Sequence, residues 1–490
     1  MSKMYLIVNP QYSIRNENGC SYIIKRVTTI DNSIGYETES VTLVPPFIGY
    51  ILSNIGKSDV HNSIDIIAKQ LGVSKQSIEV FVKRITENES HLQIDGLEES
   101  IILPKRLLVM SDSMDKQSHY TTNETTPSSN FIKRRPDTPI NLNFMITNRC
   151  TTDCVYCYAK RNNMGEMKTE KIIDIICEAN SKGVINLTLT GGDIFARKDW
   201  AIILDTTIKK GYSTFLSTKT PLDLEGVRKL AKMGVSTFQF SLDSCEKNIL
   251  SKMLHVDSLY LNKVENMLSE CSKIGINVSI RSVLTHLNSS VLQIELLLKF
   301  LDKYSCIEKW TFTPAFYSEY KKDYKQYEVT NTQLQDIYNY TKKLPPKFPV
   351  YYNKMNESGY SMKKFSTEDN FIKYNQTCYA NSYSMSILSS GDCTVCEMLY
   401  DNSDFVLGNI LNMSIDKIWN SPKALTLYSK KKEFIEDKNT PCYSCDVYET
   451  CKNKLAKKVC YVDIAKVYGI GKYEYPDPRC PRSIKTNVIL

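Results

Sequence analysis

The chain lacks any run of apolar residues long enough to cross a membrane. Its beginning offers only the short apolar stretch from Met4 to Val8, whereas a membrane span takes about 20 apolar residues. A secretory signal would also need a longer apolar core, followed by small residues at a cleavage site. The sequence therefore predicts no membrane partner and a cytoplasmic location.

A strong net charge is also lacking. The formal net charge is +8 over 490 residues, with 24% charged and 42% hydrophobic residues, which is typical of a folded globular chain. Such a small basic excess does not by itself indicate nucleic-acid binding, and no nucleic-acid partner is expected. The length predicts two to four domains at about 100–200 residues each.

Cysteine is nearly missing from the first 149 residues, where Cys20 stands alone. The whole chain nevertheless has 16 cysteines, of which three fall within 150–157 and eight within 378–480. In a large chain with no export signal, clustered cysteines are more typical of metal sites than of disulfides.

The first 109 residues combine short strand patterns with helical ones. The predicted strands are Tyr5–Val8, Ser21–Val27 and Glu37–Leu43, and the predicted helices are Phe47–Asn54, Ser63–Leu71 and Ser77–Glu87. Ser74 suits the N-cap of the third helix. Two further strands, His91–Ile94 and Ser100–Leu103, complete the pattern of a winged-helix α+β domain.

Two later segments show weak periodicity. Residues 110–138 are rich in Ser, Thr, Asn, Asp and Lys, a composition that buries too little apolar surface to become ordered. They are predicted to form a flexible linker. Residues 316–376, rich in Tyr and Lys, are expected to bridge two domains.

Strand and helix patterns alternate through residues 139–315. The predicted strands are Asn141–Thr147, Asn186–Thr190, Thr214–Thr218, Thr237–Leu242, Asn277–Val283 and Glu308–Thr313. The predicted helices are Thr169–Lys182, Trp200–Lys210, Asp223–Lys232, Leu259–Ile274 and Ser290–Tyr304. Alternating units predict a parallel sheet with right-handed crossovers. Six units are too few for a closed eight-stranded barrel, so the predicted α/β fold is an open, partial (β/α)6 barrel with its site at the carboxyl ends of the strands.

Three cysteines follow the first strand of this barrel. Cys150, Cys154 and Cys157 are separated by three and two residues, with Tyr156 before the last. Thiolates are the ligands that iron–sulfur clusters need, whereas zinc normally takes four ligands and nothing nearby supplies a fourth. The spacing favours a [4Fe–4S] cluster with one iron left open, and a zinc site is the alternative.

This motif resembles the signature of the radical S-adenosylmethionine (SAM) family, in which the open iron binds SAM. The resemblance covers roughly residues 141–314 and implies that Tyr156 lies against the adenine. It also implies that Gly191, Gly192 and Asp193, which stand where the family has Gly-Gly-Glu, bind the SAM amino group. Polar groups at the next strand ends would bind the ribose and carboxylate: Ser217, Lys219, Ser241, Asp243 and Arg281.

The cysteines of residues 377–490 resemble the SPASM extension of peptide-modifying radical SAM enzymes, which holds auxiliary [4Fe–4S] clusters. The resemblance assigns Cys442, Cys445, Cys451 and Cys480 to a distal cluster, and Cys378, Cys396 and a later cysteine to a proximal one. Where the family commonly has that later cysteine, this chain has Leu455, so Cys460 is the nearest candidate. Cys393 is an alternative to Cys396, and a zinc ribbon is an alternative to the clusters.

Together these resemblances imply a maturase of ribosomally made peptides with three [4Fe–4S] clusters and SAM. The winged-helix layout resembles the element that binds a leader peptide as an added strand. The expected partners are a precursor peptide, bound by residues 1–109, and an electron donor such as flavodoxin or ferredoxin. The preferred hypothesis is thioether formation. The alternative reactions are carbon–carbon crosslinking, epimerisation and formation of protein-bound formylglycine. A non-enzymatic alternative is a DNA-binding regulator that senses iron.

Overall fold

The structure, a computed structural model, describes residues 5–26, 41–95, 100–112, 120–121, 128, 130–159, 165–212, 215–315, 324–343, 347–352, 364–375, 378–452 and 458–484. Among these residues, 5–26, 41–140 and 183–186 form one compact unit. Residues 141–182 and 187–484 form a second unit.

The N-terminal unit places three helices between short strands. Its elements are β1 (Tyr5–Val8), β2 (Tyr12–Glu17), β3 (Cys20–Lys25), β4 (Val41–Val44), α1 (Pro46–Asn54), α2 (Val60–Leu71), α3 (Lys75–Glu87), β5 (Leu92–Ile94), β6 (Ile101–Leu103), β7 (Leu108–Ser111) and β8 (Tyr120–Thr121). The main sheet has the order β4-β3-β2-β8, β1 pairs with β7, and β5 and β6 form an antiparallel wing. The predicted order of strands, three helices and a wing is confirmed, while Val27 and residues 37–40 lie outside the described residues.

Polar caps fix where the second and third helices begin. Asp59 accepts a hydrogen bond from the backbone N–H of Asn62 at 3.1 Å, and Ser74 accepts one from Ser77 at 3.1 Å. Each cap satisfies an N–H group that the helix itself leaves unpaired. Between them Gly72, with φ of 65°, ends α2 in the left-handed conformation that favours glycine. The predicted cap at Ser74 is confirmed.

Residues 130–138 pack in this unit, so the prediction of a flexible linker was wrong there. The backbone N–H of Ile132 donates to the carbonyl of Gly19 at 2.8 Å, and the Tyr22 hydroxyl donates to the carbonyl of Arg134 at 2.9 Å. Thr138 is buried and accepts from Arg15 at 2.7 Å. Amino-acid composition indicates how much apolar surface a segment can bury, but this polar segment is held in place by hydrogen bonds between paired donors and acceptors. Residues 113–119, 122–127 and 129 of the predicted linker lie outside the described residues.

Buried charges join that segment to the main sheet. Arg15 Nη2 lies 2.6 Å from Glu17 Oε1, and the two side chains are only 6% and 2% exposed. The second Glu17 oxygen lies 3.0 Å from Arg134, which also pairs with Asp137. Burial raises the pKa of Glu17, and the two arginines oppose that rise.

The second unit begins with the alternating region. Its elements are β9 (Asn141–Thr147), α4 (Thr169–Ser181), β10 (Asn186–Gly191), α5 (Trp200–Lys209), β11 (Ser217–Thr218), α6 (Leu224–Lys232), β12 (Thr237–Ser241), α7 (Lys247–Leu254), α8 (Tyr260–Ile274), β13 (Asn277–Leu284), α9 (Val291–Leu301) and β14 (Ile307–Pro314). All six predicted strands and all five predicted helices are confirmed, with ends shifted by a few residues. Thr214 lies outside the described residues, and α7 was not predicted.

The remaining elements extend this parallel architecture at both sides. They are α10 (Asn331–Lys342), β15 (Val350–Tyr352), α11 (Glu368–Tyr374), β16 (Ser384–Ile387), β17 (Asp392–Thr394), β18 (Val406–Asn409), α12 (Ile415–Trp419), α13 (Pro422–Tyr428), α14 (Tyr448–Lys452) and α15 (Tyr461–Tyr468). Parallel pairing runs from β11 through β12, β13 and β14 to β15. A second sheet has the order β10-β9-β16-β17-β18, in which β16 runs parallel to β9. The described part of residues 316–376 therefore adds the strand β15 to the barrel sheet, and it also forms the helices α10 and α11.

None of the helices in the described ranges combines the length and apolar character that crossing a membrane requires.

Replacing Glu17 with alanine is expected to destabilise the N-terminal unit by about 3–5 kcal/mol, because Arg15 is then buried without its carboxylate partner. The matched control is Glu89→Ala. Glu89 pairs with Arg106 at 2.5 Å, but the two side chains are 74% and 57% exposed, and its loss should leave stability nearly unchanged because solvent screens the pair. Hydrogen exchange of the β2 and β3 amides in the full chain measures the difference. Equal protection in the two variants would contradict the buried role of Glu17.

Candidate functional site

The loop that carries the first three cysteines follows β9 and is anchored to the end of α7. The backbone N–H groups of Asp153 and Val155 donate to the carbonyls of Leu254 and Met253, each at 2.9 Å. His255 ends α7 in a left-handed conformation, with φ of 52°, and its Nδ1 lies 2.8 Å from the Asp153 carbonyl. A helix that the sequence did not reveal therefore fixes the middle of the cysteine loop.

A partly exposed carboxylate holds the base of the same loop. Glu166 accepts hydrogen bonds from Arg149 at 2.7 and 2.8 Å, from Arg197 at 3.4 Å and from the Thr147 hydroxyl. Partial burial opposes the charged form, but these donors hold the pKa of Glu166 below its usual value. No sequence pattern pointed to Glu166 or Arg197.

The three thiols differ in exposure. Cys154 is buried, whereas Cys150 and Cys157 are half-buried. Burial raises the pKa of the Cys154 thiol, and the nearby Lys219 ammonium lowers it. Across the part of the chain that the structure describes, no three His, Cys, Asp or Glu side chains converge as they would around a single metal ion. A cubane differs because its cysteines bind separate irons.

The Gly191-Gly192 pair lies against the backbone that leads into the cysteine loop. The Gly192 N–H donates to the Thr147 carbonyl at 2.8 Å, and the Asp193 N–H donates to the Arg149 carbonyl at 2.7 Å. A Cβ atom on Gly191 would lie 2.3 Å from the Thr147 oxygen, and one on Gly192 would lie 2.2 Å from the Arg149 oxygen. Close backbone approach therefore requires both glycines, and their expected contact with SAM stays a prediction.

Asp243 brings three of the predicted site residues together. Its Oδ2 accepts from Lys219 Nζ at 2.9 Å and from the Tyr156 hydroxyl, while its Oδ1 accepts from the Val283 N–H at 2.8 Å. The Asp243 side chain is fully buried, and that of Lys219 is 14% exposed. Burial and the Asp243 charge raise the pKa of Tyr156 well above its usual value. These contacts connect three barrel strands to the cysteine loop.

Gln239, which the sequence analysis missed, joins two predicted serines on the inner face of the barrel sheet. Its amide donates to Ser217 at 2.7 Å and to Ser241 at 3.3 Å. Ser241 is in register with Arg281 on the next strand. A glutamine two residues before Ser241 on the same strand face was the available signal.

Arg281 provides a test of whether the site fits SAM. Its Nε is buried and has no hydrogen-bond partner among the described residues, and burial lowers its pKa. A buried guanidinium without a partner is costly, and a bidentate carboxylate is the group that satisfies it best. The residues present therefore fit an amino-acid carboxylate such as that of SAM.

The four cysteines predicted for the distal cluster meet in one cavity. Cys442, Cys445, Cys451 and Cys480 line it together with apolar side chains such as Phe371 and Val459, and with basic Lys452 and Arg482. Burial raises the pKa of the Cys451 thiol to about 12, and Cys442 and Cys480 add to that rise. Adjacent buried thiolates repel one another, so this donor set fits a positively charged metal centre.

The three cysteines predicted for the proximal cluster also lie near one another. Burial raises the pKa of Cys396 to about 12 and that of Cys460 well above its usual value, and a charge on Cys378 raises both further. Cys393 lies elsewhere, fully buried in β17, with its sulfur 3.8 Å from the Gly391 carbonyl. The burial of Cys393 within β17 favours Cys396 as a ligand, and the assignment of Cys378, Cys396 and Cys460 to one cluster stays a prediction.

Asp477, another residue missed in the sequence, ties the two cysteine groups together. Its carboxylate accepts from the Cys460 N–H at 3.0 Å, and its carbonyl accepts from the Cys480 N–H at 2.9 Å. Arg479 donates to both carboxylate oxygens and also pairs with Asp463. A buried ion pair thus fixes the spacing between the proximal and distal cysteines.

Cys393 in β17 and Cys396 just after it allow a matched test of the proximal site. Cys396→Ala should remove about four irons per chain, because it removes a ligand of one cubane. Cys393→Ala should retain all the iron, because that thiol packs only within the sheet. Iron and sulfide analysis after anaerobic reconstitution distinguishes the two variants. Iron loss on substitution of Cys393 alone would reverse the assignment.

Comparisons with known proteins agree with this geometry. Residues 144–293 match the Radical SAM superfamily, and residues 378–446 match the SPASM iron–sulfur cluster-binding domain. Similar curated proteins include a GTP 3′,8-cyclase of Nautilia profundicola, 26% identical over 145 residues (28% of this chain and 45% of the relative). A PqqA peptide cyclase of Methylocella silvestris is 23% identical over 155 residues (31% and 41%). The chain thus spans less than half the length of these relatives.

Solved structures resemble the chain over almost its whole length. Streptococcus suis SuiB bound to its precursor peptide SuiA has a TM-score of 0.62 and 15% identity, covering 96% of this chain and 98% of that one. SuiB bound to S-adenosylmethionine has a TM-score of 0.59 and the same identity and coverage. At this identity the likeness establishes the fold, while the two domain matches establish [4Fe–4S] and SAM chemistry. The chain therefore carries a radical SAM domain over residues 144–293 and a SPASM iron–sulfur domain over residues 378–446.

Proposed function

We propose that this enzyme modifies a ribosomally synthesised precursor peptide and links a cysteine sulfur to a carbon of another residue as a thioether. The observation that carries the proposal is the N-terminal winged-helix unit, in whose main sheet one edge of β4 has no partner strand among the described residues. SuiB, which shares the fold over 96% of this chain, has been solved with its precursor peptide bound. The similar PqqA peptide cyclase also acts on a peptide, as its name states.

The outer edge of β4 suits the addition of a peptide strand. In the described part of the main sheet, β4 pairs only with β3, while β8 of the same chain occupies the opposite edge. Val41, Thr42 and Leu43 are half-buried, whereas nearly all of β2 and β3 is buried. An edge strand offers free N–H and C=O groups, and its side chains add specificity to main-chain pairing.

The exposed face of α3 does not favour DNA as the partner. It presents Lys83 and Arg84 together with Glu79 and Glu87. Carboxylates among the basic groups oppose the neutralisation of phosphates on which DNA affinity depends. The winged helix is therefore assigned to the leader of a precursor peptide, bound by residues 1–109 and the packed segment up to residue 140.

Three [4Fe–4S] clusters are proposed, which amounts to about twelve irons per chain. Cys150, Cys154 and Cys157 would hold the SAM-binding cluster in the barrel of residues 139–315. Residues 377–490 would hold the distal cluster through Cys442, Cys445, Cys451 and Cys480, and the proximal cluster through Cys378, Cys396 and Cys460. The proximal group supplies three thiols where a cubane has four irons, which supports a free iron for the thiolate of a substrate cysteine.

The barrel residues would position SAM at the carboxyl ends of the strands. Arg281 would bind the carboxylate, and Ser217 and Ser241, bridged by Gln239, would bind the ribose. Tyr156 would lie against the adenine, oriented by Asp243 and Lys219. Backbone groups of Gly191 and Gly192 would face the amino group.

When bound, the SAM cluster and SAM supply hydrogen-atom abstraction from unactivated carbon. The peptide would lose two hydrogen atoms: one would pass to the 5′-deoxyadenosyl group, and the other would leave as a thiol proton and an electron that an auxiliary cluster would accept and return to the SAM cluster. SAM is the oxidant and is consumed, giving methionine and 5′-deoxyadenosine. A flavodoxin or ferredoxin would supply the starting electron, and the chain itself would position the carbon and exclude water.

The function is tested with the short peptide encoded beside the gene. The anaerobically reconstituted and reduced enzyme should remove a pair of hydrogen atoms per link and make the peptide thiols resistant to alkylation. A chain with Cys150, Cys154 and Cys157 all replaced by alanine is the control and should neither cleave SAM nor change the peptide. Deuterium uptake in heavy water without loss of hydrogen would indicate epimerisation, and crosslinks in a cysteine-free peptide would contradict the thioether.

Leu43→Asp should weaken binding of the precursor peptide about tenfold or more, because a charge replaces an apolar contact worth about 1.5–3 kcal/mol. The matched control is Ile66→Asp on α2. Ile66 is 47% exposed and lies on a helix and not on the edge strand, so its replacement should leave peptide affinity unchanged. Fluorescence anisotropy of a labelled peptide measures both variants. Equal loss in the two variants would place peptide recognition elsewhere in the chain.

A further inference from the structure

The carboxylate of Asp193 collects five protein donors, four of them on one oxygen. Its Oδ2 accepts from the Thr218 hydroxyl at 2.6 Å, from the Lys219 N–H at 3.0 Å, and from the N–H and hydroxyl of Thr220 at 3.1 and 2.9 Å. Its Oδ1 accepts from the Phe195 N–H at 3.0 Å. The residue is only 5% exposed. Because each carboxylate oxygen offers about two acceptor positions, the four donors fill Oδ2, and Oδ1 keeps at most one position beside the Phe195 N–H.

Four of these donors belong to the turn that ends β11. Residues Thr218 to Thr220 wrap around Oδ2, so Asp193 defines the conformation of the turn in the way that a side-chain cap defines a helix start. A glutamate, one methylene longer, would push its carboxylate into the turn. The aspartate therefore fits this turn by length, as well as by charge.

The turn of residues 218–220, once held by Asp193, supports both ends of the cysteine loop. The Thr220 hydroxyl lies 2.7 Å from that of Thr151, next to Cys150. Lys219 pairs with Asp243, which accepts from the Tyr156 hydroxyl next to Cys157. The carbonyl of Lys219 is held in turn by the Tyr260 hydroxyl at 2.8 Å. Displacing this turn would release the cysteine loop at two points.

We propose that Asp193 is a positioning residue for the cysteine loop and not a ligand of the SAM ammonium group. It acts through the turn of residues 218–220, with Thr220 and Lys219 as its two arms. This role differs from the one that resemblance to the Gly-Gly-Glu motif implies for the same position. The inference concerns the radical SAM site itself and does not depend on the identity of the peptide.

A thermodynamic cycle that changes both the ligand and the residue separates a positioning role from direct contact with the SAM ammonium group. Binding of SAM and of its analogue without the amino group is measured for the wild-type enzyme and for Asp193→Asn. A positioning role predicts that both affinities fall by the same factor, about 10- to 100-fold as for other residues that orient metal ligands, so that their ratio is unchanged. A direct ammonium contact predicts that Asp193→Asn lowers SAM affinity alone, and that result would overturn the proposal.

Two further variants keep the test decisive if Asp193→Asn folds poorly. Asp193→Glu restores the residue that the family commonly has, and it should still weaken binding of both ligands; unchanged or tighter SAM binding would overturn the proposal. Thr220→Val removes one arm of the turn without altering charge, and should reproduce the effect, whereas Thr220→Ser should rescue it.

A spectroscopic signature without SAM completes the test. The EPR spectrum of the reduced SAM cluster in Thr220→Val and Asp193→Glu should already differ from wild type, because the cysteine loop itself has moved. Asp205→Asn is the control, since Asp205 pairs only with Lys209 on α5, and its spectrum and affinities should match wild type. Unaltered SAM-free spectra in both turn variants would overturn the proposal.

Discussion

The cysteine loop has no regular secondary structure, so its shape depends on carboxylates, two of them buried, that collect donors around it. A carboxylate that leaves water has to be matched by hydrogen bonds or charge. Glu166, Asp193 and Asp243 each meet this requirement by gathering groups from several segments. Glu166 holds the base of the loop, Asp243 holds Tyr156, and Asp193 holds the turn that contacts Thr151. The hydrogen bonds of these three carboxylates thus fix the shape of the loop, because its thiols contribute little packing of their own.

The alternating barrel was predictable because each element has a clear period and marked ends. The predicted strand Asn141–Thr147 matches the observed bounds, and helix ends shift by only a few residues. α7 escaped prediction because it follows the fourth strand at once and is only Lys247–Leu254 long. Strands β15 and β16 escaped because a strand of three or four residues has too few positions to show alternation. Burial of Arg15 and Glu17 against residues 130–138 escaped because composition does not show which charges will pair.

The cysteine groups were predictable from spacing, while the residues that support them were not. Cys442, Cys445 and Cys451 are close in sequence, and the structure adds Cys480 to their cavity. The choice of Cys396 over Cys393 rested on a glycine spacing, and the full burial of Cys393 within β17 favours the same choice. Asp477, Gln239 and Glu166 have no motif, since any acceptor at the right place would serve. Sequence patterns identify ligands better than the groups that orient them.

The parallel pairing of β16 with β9 has a consequence for the order in which the protein is made. Asn141 and Ser384 are register partners, so the outer edge of the first barrel strand stays open on the ribosome until the chain has grown as far as Ser384. An open strand edge can pair with other chains, and contacts between distant residues slow folding. The barrel region should therefore be most prone to aggregate during synthesis, before the C-terminal cysteine region has emerged to cover β9. Expression of a barrel truncated before β16 would expose that edge permanently, which makes the cysteine region part of the folding unit as well as a carrier of clusters.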